Sequence, residues 1–190
     1  MNRNKIKSVT LIELIIALTI FTMVILGFLS IDVFSRYQLL SSDRRAKLQN
    51  EAAFILDHMT KTLSTVIGSV VEEPVNLTQV SGTTQQVIGF IDNGSGIRST
   101  NANVSYCYNT TSCQAGTYIL SFQRPAGTGA VETLSTHVNF FSANLVNRNQ
   151  LNVNISLCWD PDNQPHPCGT MDNPAISMNT TIRFPGVSIN

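Results

Sequence analysis

The sequence predicts an α+β protein in which one long N-terminal spine helix packs on an antiparallel β-sheet. Three observations carry that prediction. Residues 9–31 form a run of 23 residues in which Glu13 is the only charge. Beyond it, Phe34, Tyr37, Leu40, Leu48, Ala52, Ile55, Leu56, Met59, Leu63 and Ile67 recur at three- and four-residue steps, the spacing of one helix face. After Pro74 the apolar period drops to two, the spacing of half-buried strands. A chain of 190 residues suffices for one domain with a real core and an appended element.

Residues 1–8 carry Arg3, Lys5 and Lys7 and no acid. As a helix, residues 9–31 span about 34 Å, enough to cross a bilayer. Basic residues precede the run and a long polar region follows it, so the positive-inside rule keeps the N-terminus in the cytoplasm and exports the rest. A secretory signal peptide has a shorter apolar core and a small-residue cleavage site; this run continues through "GFLSIDVFSRY" with no such pattern. A plain anchor does not account for Glu13, because a carboxylate costs about 2.5–3.5 kcal/mol at the centre of a membrane helix and less near its end. A capping box, Thr10-Leu11-Ile12-Glu13, makes the carboxylate tolerable but leaves its neighbours unexplained.

Those neighbours carry a resemblance. "SVTLIELIIALTIF" resembles the N-terminal signal of type IV prepilins and type II secretion pseudopilins, with Thr10, Leu11, Ile12, Glu13 and Leu14 matching the family's T-L-I-E-L in order. The resemblance implies a leader of residues 1–8, cleavage by prepilin peptidase between Ser8 and Val9, and N-methylation of Val9. Two positions depart from the pattern: Ser8 stands where the family has Gly, and Val9 where it has Phe. The resemblance also gives Glu13 a role in subunit register and assembly, neutralising the N-terminal amine of a neighbouring subunit. Cleavage creates an α-amino group on Val9, ordinarily with a pKa of about 7.7–8. Opposite charges buried together in an apolar filament cost less than either alone, so the pair acts as a register key.

Residues 32–73 are expected to form the amphipathic half of the spine, closed by Gly68 and Pro74. The alternative is two helices meeting at Ser41-Ser42-Asp43, where Ser or Asp can cap a new helix. The basic cluster "DRRAKLQ" at residues 43–49 reads as a solvated or subunit-packing face. With 12 basic and 12 acidic residues the chain is formally neutral, so no nucleic-acid partner is expected.

Residues 74–190 are expected to form the head. "LNVNISLC" (residues 151–158) alternates strictly and "ISMNTTIRF" (176–184) nearly so. "VIGFI" (87–91), "VSYCY" (104–108), "TYILSFQ" (117–123) and "HVNFFSANLV" (137–146) are further strand candidates, separated by the turn signals "DNGSG", "PAGTG", "NRNQ" and "DPDNQPHP". These predict an antiparallel meander with one face on the amphipathic helix. The resemblance implies a pilin-like roll, and the order of long helix, loop, hairpins and a late strand "TTIRFPG" is similar to the PilW/PulJ-like group of minor pilins.

The four cysteines have no zinc-ligand spacing, and two local disulfides in an oxidising compartment account for them better. Three connectivities are open; Cys107–Cys113 and Cys158–Cys168 close the shortest loops at the least entropic cost. Asp160, Asp162 and Asn163 offer oxygens of the kind calcium takes, in a loop without the glycine and terminal glutamate of an EF-hand. Asp and Asn beside Pro are also ordinary turn chemistry, and no other cofactor is expected. His58, His137 and His166 have no acid or nucleophile partner evident in sequence, so no enzyme is expected. The expectation is a minor type IV pilin: a structural subunit in the bacterial inner membrane by a single helix, with its head outside the cytoplasm, later joining a pilus. Its partners would be other pilins, through the N-terminal helix, and the peptidase. A type II secretion minor pseudopilin and a non-polymerising membrane-anchored binding domain are the alternatives.

Overall fold

The computed structural model describes residues 10–67, 73–92, 98–110, 113, 116–163 and 165–185. One helix, α1 (Leu11–Leu63), is followed by eight strands: β1 (Val75–Val80), β2 (Thr83–Asp92), β3 (Arg98–Tyr108), β4 (Leu120–Arg124), β5 (Ala130–Ser135), β6 (Val138–Asn147), β7 (Gln150–Cys158) and β8 (Ala175–Arg183). Contacts divide the chain into two units, Met1–Leu40 and Ser41–Asn190.

In the first unit the helix is bare. Leu11, Ile12, Leu14, Phe21, Met23, Leu26 and Phe28 are each 60 % exposed or more. Thr19, Thr22 and Ser30 return their hydroxyls to carbonyls three or four residues back, which hides these polar groups in an apolar run. Glu13 is the acid of the first turn. Phe34, Tyr37 and Leu40, expected on the packed face, are all at least 50 % exposed.

The second unit begins where the helix acquires a buried stripe: Ser41, Leu48, Ala52, Ile55, Leu56, Met59 and Leu63. α1 passes Ser41-Ser42-Asp43 without a break, so the two-helix alternative does not hold. Asp43–Lys47 and Asp57–Lys61 pair one helical turn apart at 2.8 and 2.6 Å, acid first, the orientation that favours a helix. The helix ends at Leu63, four residues short of Ile67. There Ser64 and Thr65 donate their hydroxyls to the carbonyls of Lys61 and Thr62. Val66 then bridges Ile91, and the Ile67 N–H bonds the Phe90 carbonyl at 2.9 Å, so the sheet captures the backbone before Gly68. Residues 68–72 lie outside the described residues.

The strands form two antiparallel sheets, not one meander: β1-β2-β3-β4-β5 and β6-β7-β8. The buried Thr84 joins them. Its hydroxyl accepts the Ala143 N–H at 2.8 Å and donates to the Ala143 carbonyl at 3.2 Å, as a neighbouring strand would. Leu151, Val153, Ile155 and Leu157 are fully buried on one face of β7, as their alternation predicts, and share a core with the helix stripe. The apolar alternation marks neither β1 nor β5. Most of their residues are exposed, and an edge strand held by backbone bonds leaves little apolar pattern to read. β4 begins only at Leu120 because Tyr118 has a positive φ of 62°.

Gly89 sets how closely the helix end meets β2. A Cβ there would sit 2.7 Å from Val66 Cγ2 and 3.0 Å from Leu63 Cδ2. Gly89→Ala is expected to destabilise the protein by about 1–3 kcal/mol, read as a lower urea midpoint at an unchanged slope. Ile155→Ala should cost about 2–5 kcal/mol. On the opposite face of β7, Asn152→Ala should stay within about 0.5 kcal/mol.

Candidate functional site

Two places concentrate functional side chains: the start of α1 and the loop after β7. At the helix start, Glu13 Oε2 accepts the Thr10 N–H at 2.9 Å and the Thr10 hydroxyl at 2.8 Å. The Glu13 N–H in turn meets Thr10 Oγ1 at 3.4 Å, a reciprocal capping box. One oxygen takes both bonds, and Oε1 takes none among the described residues. The carboxylate is thus aimed by Thr10 through one of its oxygens, on a helix long and apolar enough to cross a membrane. Ser8 and Val9, the expected cleavage and methylation positions, lie outside the described residues.

Residues 3–29, which contain this box, match the family model described as the prokaryotic N-terminal methylation motif. The chain carries the N-terminal segment of a type IV prepilin or pseudopilin. Glu13 lies inside that prepilin segment, as do the exposed Leu11, Ile12, Leu14, Phe21, Met23, Leu26 and Phe28. No curated protein and no solved structure matches the chain.

In the second unit, the loop after β7 packs on the helix through Trp159. The Arg44 guanidinium lies 5.3 Å and the Lys47 ammonium 5.9 Å from the Trp159 ring centroid, and His137 stacks on the same ring at 11°. Arg44 also donates to the Asp172 carbonyl. His137 Nδ1 meets Glu51 at 3.1 Å, tying the start of β6 to the helix. The "DRRAKLQ" face therefore grips its own head domain through Arg44 and Lys47, while Arg45 is solvated. These cation–aromatic contacts need Trp159, which no spacing in the sequence connects to Arg44, Lys47 or His137.

Asn173 organises the loop. Only 1 % exposed, it accepts the Asp160 N–H at 2.9 Å and donates to the carbonyls of Asp160 and His166 at 2.7 Å each. The disulfide Cys158–Cys168 closes the same loop, and Cys107–Cys113 closes the one after β3. Asp160 and Asp162 sit in this loop, with the Asn163 N–H turned back on the Asp160 carbonyl at 3.3 Å. Among the described residues no three His, Cys, Asp or Glu side chains converge as metal ligands. His166 faces Asp172 at 3.7 Å.

A second cluster lies under the helix. The Tyr106 hydroxyl meets His58 Nδ1 at 3.0 Å, and the rings of His58, Tyr106 and Phe122 pack together. Burial pushes the Tyr106 phenol far up. Tyr108 donates to the Asn139 carbonyl at 2.9 Å, and burial, helped by Tyr118, pushes its phenol up to about 12.

Both phenols hold their proton in the fold at pH values where the unfolded chain has lost it, so their stabilisation is complete below about pH 10 and is lost as pH rises through the folded-state value, about 12 for Tyr108. An ultraviolet tyrosinate titration should show two phenols still protonated at about pH 10–11, where exposed tyrosines ionise, and Tyr108→Phe should leave one. Asn173→Ala strands three backbone groups and should cost about 1–3 kcal/mol. Limited proteolysis between Trp159 and Asp172 should then outpace cleavage elsewhere.

Proposed function

We propose that this chain is a minor subunit of a type IV pilus. Prepilin peptidase removes residues 1–8 between Ser8 and Val9, and the new Val9 amine is methylated. The mature subunit sits in the inner membrane through residues 9–31, with the head outside the cytoplasm. It then joins or primes a filament by packing this helix among the helices of other pilins. Its role is structural, not enzymatic.

The observation that carries the reading is Glu13: a carboxylate held by Thr10 through one oxygen, inside a matched prepilin segment whose described apolar side chains are exposed. A bundle of like helices supplies both the apolar cover and an amine for the carboxylate. Two charges buried together are tolerable where either alone is not. Only a neighbour at the right stagger satisfies both, so the pair selects register. Retention of Glu13 supports a place beneath another subunit or within the shaft, because the family's tip subunits usually lack it. A type II secretion minor pseudopilin would use the same chemistry within a shorter, piston-like filament; the proteins crosslinked to the helix distinguish the two.

Glu13→Ala should lower incorporation into sheared filaments by about a hundredfold, the equivalent of about 3 kcal/mol for one unpaired buried charge. The membrane-anchored precursor should stay at its normal level. Incorporation at the wild-type level would remove the register role. Thr10→Val, which frees the carboxylate from its hydroxyl anchor, should give an intermediate loss.

A further inference from the structure

The two disulfides are built alike, but their inner sulfurs have opposite neighbours. Each joins a sealed strand cysteine to a loop cysteine. Cys107 of β3 is 1 % exposed and Cys158 of β7 is fully buried, while Cys113 and Cys168 are half-buried. A thiol arriving from solvent therefore meets the loop sulfur of each pair first. What then distinguishes the two bonds is the group beside the sulfur that must leave.

At Cys107 that group is a donor. Ser105 lies two residues back on the same face of β3, the face opposite Tyr106, and is fully buried. Its Oγ accepts a Gln86 Nε2–H at 2.9 Å, Gln86 standing across from Cys107 on β2. Its own proton is left to point at sulfur: Cys107 Sγ lies at 3.3 Å and Cys113 Sγ at 3.8 Å. A disulfide sulfur accepts such a bond weakly, and a thiolate accepts it strongly. At Cys158 the neighbour is an acceptor. Asn173 Oδ1 lies 3.3 Å from Cys158 Sγ. The amide is fixed that way round, because its Nδ2 donates to the carbonyls of Asp160 and His166 while Oδ1 takes the Asp160 N–H. A thiolate on Cys158 would face an oxygen lone pair in a site closed to water, which is costly.

We propose that Cys107–Cys113 is a thiol-exchange site that takes an external thiol on Cys113, and that Cys158–Cys168 is its inert counterpart. An incoming thiolate attacks Cys113 Sγ and forms a new S–S bond. The Cys113–Cys107 bond breaks, and its electron pair leaves on Cys107 Sγ as a thiolate that the Ser105 hydroxyl holds. One thiolate and one disulfide give one thiolate and one disulfide, so no further oxidant or reductant enters. In the reverse step the Cys107 thiolate attacks Cys113 Sγ of the mixed disulfide, restores the bond and releases the thiol. Exchange is faster the better the leaving thiolate is stabilised, and that is the part Ser105 plays. The ligand is a thiol, from a small molecule or from the reactive cysteine of a protein dithiol. The exchange requires neither leader cleavage nor polymerisation.

The test uses the full chain in detergent, with reduced glutathione in one arm and thioredoxin, a protein dithiol, in the other. Samples are quenched by alkylation and mapped by peptide mass spectrometry. Cys107–Cys113 should open about tenfold or more faster than Cys158–Cys168, with glutathione found on Cys113. That preference in both arms assigns the site to either source of thiol, and in one arm alone to that source. Ser105→Ala should slow the opening about three- to tenfold and leave Cys158–Cys168 unchanged, whereas Ser105→Thr, which keeps the hydroxyl, should stay near the wild-type rate. A variant that merely loosened the fold would open faster, so slowing identifies the hydroxyl. The comparison within the wild-type chain stands even where Ser105→Ala does not fold. Equal opening of the two bonds, faster opening of Cys158–Cys168, glutathione on Cys107, or a folded Ser105→Ala opening at or above the wild-type rate would each overturn the proposal.

Discussion

Everything in this protein depends on one unmet requirement: a helix with about thirty residues of apolar surface that its own chain does not cover. Leu11, Phe21, Met23 and Phe28 are 63–79 % exposed, and burying a large apolar side chain is worth about 1.5–3 kcal/mol. Such a surface persists only in lipid or among other helices. Both covers exclude water, and that makes Glu13 consequential. Thr10 relieves part of its isolation by satisfying one carboxylate oxygen. In the filament proposed above, an amine freed by cleavage would be the partner that also cancels the charge.

Below Ser41 the same helix changes role. Leu48, Ala52, Ile55, Met59 and Leu63 are fully buried, so here the helix is the core element on which both sheets rest. The attachment is reinforced where the chain would otherwise be loose. Trp159 sits against Arg44 and Lys47, His137 reaches Glu51, and Asn173 uses its full amide to hold the loop that Cys158–Cys168 closes. A head so fastened can face a solvent or a partner with its remaining sheet surface.

The elements legible in sequence are those whose pattern serves burial. The helix stripe from Leu48 to Leu63 and the alternation of β7 were readable because each apolar position touches the core. Phe34, Tyr37 and Leu40 keep helical spacing yet are exposed, because spacing records a face and not what covers it. β1 and β5 escaped because edge strands are specified by backbone bonds, and the helix end was misplaced because Val66 and Ile67 are claimed by β2, a contact distant in sequence. The N-terminal segment was legible through Thr10 to Leu14, where local spacing and chemistry coincide. The Trp159 cluster was not, since Arg44, Glu51, His137 and Trp159 meet only in the fold. Asn173 had no signal beyond its place before a proline.

The central claim is that Glu13 answers an amine that does not exist until the leader is removed. Intact-mass spectrometry of the protein extracted from membranes tests it most directly. The account predicts loss of residues 1–8 and a gain of one methyl group on Val9. A mass retaining the leader in membranes that hold active prepilin peptidase would contradict it.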